Sequence, residues 1–388
     1  MMIQGVTNPM TDITLVVLSV PFIVSIVVII IIVLVILIFR YVKLYMQFVY
    51  PNAKYEAIGN RFLSEKELSS LSESKNLNNL RENLNAYRDY KLAGDDVRSL
   101  QNSLDEHLIQ TIEMMKNDSP RGIRGFYDLY IERLHLPFIK NTVKMIITGR
   151  REELNRDIVN YVSHDKTRVV LMSLFNTSNK EEVGAVLKQY GYDEDIIKTI
   201  TSSDKPDLLT VDTAFDRYIL RRLKELKIPG RCMDAKQDLI NLLSDVLMIK
   251  GVLRAKNLGY DYSRCLQLNL GAGNEIQPWR FQEMIKTSTL TEVIEALDGT
   301  SYYNTLESYM EDYKKDGSLQ VLESALDRHL LRGISDVSLR YYQTMGPLLR
   351  FLVSKEFEVH NLKVIVKTIG DDLPYDKSKV LLVTEGGG

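Results

Sequence analysis

The chain opens with a segment that has no polar face. From Ile13 to Phe39, 27 consecutive residues carry no ionisable side chain and are dominated by Val, Ile and Leu. A helix of that length extends about 40 Å and exceeds a hydrocarbon core of about 30 Å, which it crosses with some tilt. After Pro51 the pattern changes to amphipathic stretches such as Phe215 to Leu226 and Leu326 to Leu331, where apolar positions return at helical spacing. The expected fold is all-α, with one N-terminal transmembrane helix ahead of a helical polar part.

The flanks of the span set its direction. A cleaved signal peptide has a shorter apolar core with basic residues before it, whereas here Asp12 precedes the run and Arg40, Lys43 and Lys54 follow it. The positive-inside rule then puts everything after the span on the cytoplasmic side and the first dozen residues outside. With no Asp, Glu, Lys, Arg or His within it, the span is an anchor or plug and offers no relay for a proton or sodium ion.

The polar part repeats itself three times. Its first signal is a helix start with Leu or Val at i, i+4: Asn76 to Leu80 and Leu84, Asn179 to Val183 and Leu187, and Thr289 to Val293 and Leu297. Glu182 and Glu292, three residues after Asn179 and Thr289, give the last two the form of a capping box. A Tyr follows each start, at Tyr87, Tyr190 and Tyr302. The second signal is a small residue, an apolar residue and Asp, ending at Asp105, Asp216 and Asp327 with 111 residues between successive copies. The third is a pair of cations four apart: Lys140 and Lys144, Lys250 and Arg254, Lys363 and Lys367. On a helix each pair shares one face. The expected domains are 1–49 (tail and anchor, span 13–39), 50–150, 151–260 and 261–384 (three pseudo-repeated helical domains), and a Gly tail at 385–388.

Composition narrows the function mainly by exclusion. Lys plus Arg number 49 against 51 for Asp plus Glu, so no global field draws the chain to nucleic acid. Cys232 and Cys265 are the two cysteines and belong to no Cys-x-x-Cys pair. The five histidines lack metal-ligand spacing, and Gly271-Ala272-Gly273 has no Lys-Ser/Thr after it and reads as a turn. No catalytic, cofactor or metal residue is expected, and the chain reads as a non-enzyme built from large helical surfaces.

Further motifs carry a family likeness. Asn52-Ala53-Lys54 and Asn60-Arg61-Phe62-Leu63-Ser64 open it, and Leu253-Arg254-Ala255-Lys256 falls in the middle repeat. Gly346-Pro347-Leu348-Leu349-Arg350-Phe351-Leu352, Lys355-Glu356-Phe357-Glu358 and Asn361-Leu362-Lys363 close it. From Tyr50 to about Val383 the chain resembles the C subunit of archaeal and bacterial A/V-type ATPases, whose counterpart in vacuolar proton pumps is the d subunit. The resemblance implies a funnel of three helical domains on the cytoplasmic face of the proteolipid (c/K) ring. It also implies a non-catalytic rotor subunit, one copy per complex, receiving central stalk subunits D and F. Family members are generally peripheral, so the span is a departure, and residues 13–39 are expected in membrane lipid, within the ring's central hole. The six cations are candidates for meeting acidic stalk or proteolipid-loop groups. Composition and topology alone also fit a single-pass helical scaffold or receptor unrelated to ATP synthesis.

Overall fold

The computed structural model describes residues 9–59, 62–86, 90–162, 164–203 and 205–384. Residues 1–8, Asn60, Arg61, Tyr87 and the tail 385–388 lie outside the described residues, as do the side chains of Asp12 and Arg40. Among the described residues the structure is all-helical, with no strand. It separates into two compact units, Met1–Tyr50 and Pro51–Gly388.

The described part of the first unit lies within α1 (Pro9–Gly59). Its Phe22–Phe39 window has a mean hydropathy of 3.9 and no buried residue, which makes it long and apolar enough to cross a membrane.

In the second unit, short helices alternate with pairs of long ones. Helices α2 (Glu65–Ser72) and α3 (Leu77–Ala86) precede the long α4 (Val97–Asp118) and α5 (Arg124–Ile147). Then α6 (Asp165–Leu174), α7 (Lys180–Gln189) and α8 (Glu194–Thr201) precede α9 (Leu208–Glu225) and α10 (Gly230–Asn257). Five short helices follow: α11 (Tyr262–Leu266), α12 (Pro278–Lys286), α13 (Leu290–Glu295), α14 (Ser301–Glu307) and α15 (Met310–Asp316). They lead into α16 (Gln320–Arg340), α17 (Gly346–Gly370) and the terminal α18 (Tyr375–Lys379).

The short helices start where the sequence places their caps. Asn76 and Asn179 accept from the amides of Asn79 and Glu182, both at 2.9 Å, which relieves donors that an open helix end leaves unpaired. Thr289 and Glu292 complete a capping box. The corresponding Glu182 reaches past its cap to the Ser178 amide at 2.6 Å, so α7 has a variant of that box.

The six long helices close on one another. Contacts run from α4 to α5, α9, α10, α16 and α17 in turn, and from α17 back to α4. Two of these helices are buried on several sides, and their buried positions include polar as well as apolar residues. α10 buries Leu239, Ile240, Leu243, Val246, Ile249, Val252 and Leu253, and α17 buries Leu348, Leu352, Leu362, Ile365 and Val366. Each such side chain is worth about 1.5–3 kcal/mol relative to exposure.

The motif around Gly346 is explained at the turn between α16 and α17. A Cβ on Gly346 would stand 2.6 Å from the Ser338 carbonyl and 2.7 Å from that of Tyr341, so only glycine lets the two backbones approach this closely. Asn52 ties the same turn to the start of the unit, donating to the Tyr342 and Thr344 carbonyls at 2.9 and 2.8 Å. Lys54 pairs with Asp118 at 2.7 Å, so its charge is engaged within the polar unit.

Candidate functional site

The third repeat signal meets the second across three helix seams. Lys140 on α5 pairs with Asp216 on α9 at 2.6 Å, Lys250 on α10 with Asp327 on α16 at 2.6 Å, and Lys363 on α17 with Asp105 on α4 at 2.6 Å. Each lysine takes the aspartate of another copy, and the last copy returns to the first, so the pairing is circular. These side chains are 12–32% exposed, better shielded than the open surface pairs that contribute about 0–1 kcal/mol.

The second cations extend two of the seams. Lys144 reaches Asp212 at 3.0 Å, and Arg254 grips Glu323 with two nitrogens, both at 2.5 Å. Lys367 pairs with Asp371, one turn along on its own side of the seam, at 2.8 Å. All six cations proposed from the sequence to face other subunits therefore have an acidic partner within the chain.

A second set of groups, not singled out from the sequence, lies five residues before the first cation of each pair. Asp245 on α10 is fully buried and accepts from the amides of Asn274, Glu275 and Ile276 at 2.8–3.1 Å and from the Tyr302 hydroxyl at 3.3 Å. Burial pushes its carboxyl up to about 6, against the pull of those donors toward the ionised form. Glu358 on α17 does the same work: it accepts from the Leu63 amide at 3.0 Å, from the Tyr90 hydroxyl at 2.6 Å and from buried Lys355 at 2.7 Å. Each carboxylate fastens chain beside the short helices onto a long helix: Asp245 holds the loop before α12, and Glu358 the segments before α2 and after α3. An acid five residues before the cation pair, in two of the three copies, was the available signal.

At the equivalent position α5 carries His135, 4% exposed, its Nδ1 buried without a hydrogen-bond partner. Its ring centroid lies 6.4 Å from that of His164. Burial, reinforced by His164, pushes His135 down from 6.5 to about 4. The folded state keeps this ring neutral where the unfolded chain takes up a proton, so its contribution to stability is present above pH 6.5 and lost as pH falls toward 4. That loss amounts to at most about 3 kcal/mol. Unfolding midpoints measured between pH 7 and 4 are expected to fall more steeply for the native chain than for His135→Phe; equal slopes would remove His135 from the acid response.

The aromatic partners of these groups differ in part from the sequence reading. Tyr302 stacks on His329 with centroids 4.5 Å apart, and the matching contacts are Tyr90 on His107 at 4.6 Å and Tyr192 on Tyr218 at 4.9 Å. Tyr190 instead ends α7 and hydrogen-bonds Ser173 at 3.0 Å, so Tyr192 is the counterpart of Tyr302. The Asp-Arg pairs also gain a role. Arg217 donates to the Asn269 and Gln267 carbonyls at 2.9 and 2.7 Å, and Arg328 to the Leu382 carbonyl at 3.0 Å, each pinning chain that follows a long-helix pair.

Chemistry beyond hydrogen bonding finds little purchase. Cys232 and Cys265 are buried and free, and burial pushes the Cys232 thiol up to about 12, which leaves it unreactive. Among the described residues no group of three or more His, Cys, Asp or Glu side chains is placed to hold a metal ion.

Known proteins are similar to this chain over most of its length. The C subunit of the A-type ATP synthase of Methanothermobacter thermautotrophicus is 26% identical over 326 residues, covering 83% of this chain and 83% of its own length. The same subunit of Methanosphaera stadtmanae is 22% identical over 350 residues, 89% of this chain and 90% of its own. That of Methanobrevibacter smithii is 26% identical over 332 residues, 82% and 83% respectively. The family model for the ATP synthase (C/AC39) subunit matches residues 51–380, which take in the whole circuit of six long helices, and the chain belongs to that family.

Proposed function

We propose that this chain is the non-catalytic rotor subunit of an A/V-type ATP synthase or ATPase, coupling the central stalk to the proteolipid ring. In this reading it is present once per complex, with three helical repeats at 50–150, 151–260 and 261–384 arranged as a funnel. Residues 13–39 anchor it as a single pass from the cytoplasmic side, inside the ring's central hole among its lipids. The observation that carries the reading is the circular ion pairing of Asp105, Asp216 and Asp327 with Lys363, Lys140 and Lys250. A body whose last repeat is tied back to its first has no open seam, so a twist applied at one face is shared by all three seams. Packed helical interiors have low compressibility and transmit strain, as a torque coupler requires. The apolar window Phe22–Phe39 supports the anchor.

Affinity purification of the full chain from membranes in mild detergent is expected to recover the proteolipid ring and stalk subunits with one copy of this chain. Recovery of the chain with unrelated partners, or alone, would overturn the assignment. A density map of the assembled rotor with residues 13–39 outside the ring would overturn the pore position while leaving the coupling role standing.

A further inference from the structure

The three seams are not equal. In two of them a second acid faces the second cation, Asp212 for Lys144 and Glu323 for Arg254. Each of those acids lies four residues before the aspartate that binds the first cation, and the same step back from Asp105 leads to Gln101. Gln101 instead donates its side-chain amide to the Lys363 carbonyl at 3.1 Å. Lys367, opposite it, is left with Asp371; both side chains are well exposed, at 58% and 39%, and a pair of this kind one helical turn apart is weak.

An open cavity of about 270 Å³ lies at this seam, lined by residues that include Gln101, His360, Lys363, Lys367, Leu373 and Leu381. That is several times the roughly 30 Å³ that one water takes up in the liquid. It has room for an acidic side chain together with its aliphatic stem. Among the described residues lining it there is no Asp or Glu, while two lysines stand in its wall.

We propose that this cavity is a docking site for a Glu or Asp side chain of a partner subunit, which reaches Lys367 and supplies in trans the acid that Asp212 and Glu323 supply within the chain. The apolar wall takes the stem and the ammonium group takes the carboxylate. Lys363 keeps Asp105, so the seam stays closed while Lys367 exchanges its exposed in-chain partner for one that is better shielded from water. The inference rests on the rotor reading, since it requires the chain to work docked to other subunits.

Carbodiimide coupling of the intact complex, purified through a tag on the full chain, tests it. The reagent joins an amine to a carboxylate already in contact, and peptide mapping by mass spectrometry locates each new amide bond. Lys144 joined to Asp212 serves as the internal standard. Lys367 is expected to be joined to an Asp or Glu of another subunit. The Gln101→Glu variant places an acid across the seam and is expected to reduce that intersubunit product at least fivefold, moving the coupling onto α4. Recovery of the complex with Lys367 joined to Asp371 alone, or an intersubunit product unaffected by Gln101→Glu, would overturn this site and leave the rotor reading intact. A chain recovered with no ATP synthase subunit would instead overturn the rotor reading, and this site with it.

Discussion

Glu358→Gln is expected to destabilise the polar unit by about 3–5 kcal/mol, the cost of leaving a buried charge without its partner. The side chains of Lys355 and Glu358 are only 6% and 5% exposed, so water does not screen the loss. Glutamine fills the same space and its single oxygen still accepts from the Leu63 amide, while its NH2 group turns toward the Tyr90 hydroxyl, so what disappears is one acceptor oxygen and with it the counter-charge 2.7 Å from the Lys355 ammonium. Lys355 retains the Tyr90 ring, 4.3 Å from its nitrogen, and the Tyr90 hydroxyl at 3.0 Å. A neutral hydroxyl and a ring face do not balance a desolvated cation.

Denaturant unfolding of the full chain in detergent, followed by circular dichroism, measures this cost. The double variant Lys355→Met with Glu358→Gln removes both charges, keeps the acceptor and fills the lysine stem with apolar atoms. It is expected to recover at least half of the loss, since neutral replacements of a buried pair are often tolerated. If the double variant is no more stable than the single one, the loss comes from packing around Glu358 and not from the orphaned lysine.

Much of this architecture is legible in the sequence, because the features that recur at constant spacing are local to single helices. The Lys pairs hold an i, i+4 register inside α5, α10 and α17, and the small–apolar–Asp triplets sit inside α4, α9 and α16. Which aspartate each lysine meets is not legible. The partners are 76, 77 and 258 residues apart, and the pairing follows from the closure of the helix circuit, which no local pattern encodes. Read one helix at a time, the cation pairs therefore resemble outward-facing patches.

The Tyr register misleads for a related reason. Tyr192 lies 13 residues after its cap Asn179, as Tyr302 does after Thr289, whereas Tyr190 is simply the first Tyr after that cap. Counting from the cap finds the stacking residue in these two copies, and in the first copy Tyr90 lies one residue further, 14 after Asn76. Asp245 and Glu358 escape notice because a single acid within a long helix ordinarily faces solvent. Their burial becomes visible only once the loop at 274–276 and the Leu63 and Tyr90 segments are seen to close over them.

The loop over Asp245 gives the second large effect, from Gly273→Ala. A Cβ at Gly273 would stand 1.6 Å from Asp245 Oδ1 and 2.7 Å from its Cγ, which no small adjustment accommodates. Either the loop lifts or the carboxylate swings away, and both break the bonds from the Asn274, Glu275 and Ile276 amides. The Ile276 bond is buried and those of Asn274 and Glu275 are part-buried, so at about 1 kcal/mol lost per bond the expected destabilisation is about 3 kcal/mol. Two residues away, Gly271 has a φ of +93° and open space around its Cβ position, so Gly271→Ala strains only the backbone and is expected to cost about 1 kcal/mol. Asp245→Ala removes the same acceptor from the other side, and combined with Gly273→Ala it is expected to cost far less than the sum of the two single changes. Groups that share one contact lose it only once. Fully additive costs in the same unfolding assay would mean that the glycine and the carboxylate stabilise the fold independently, and that the cradle is not what holds this loop on α10.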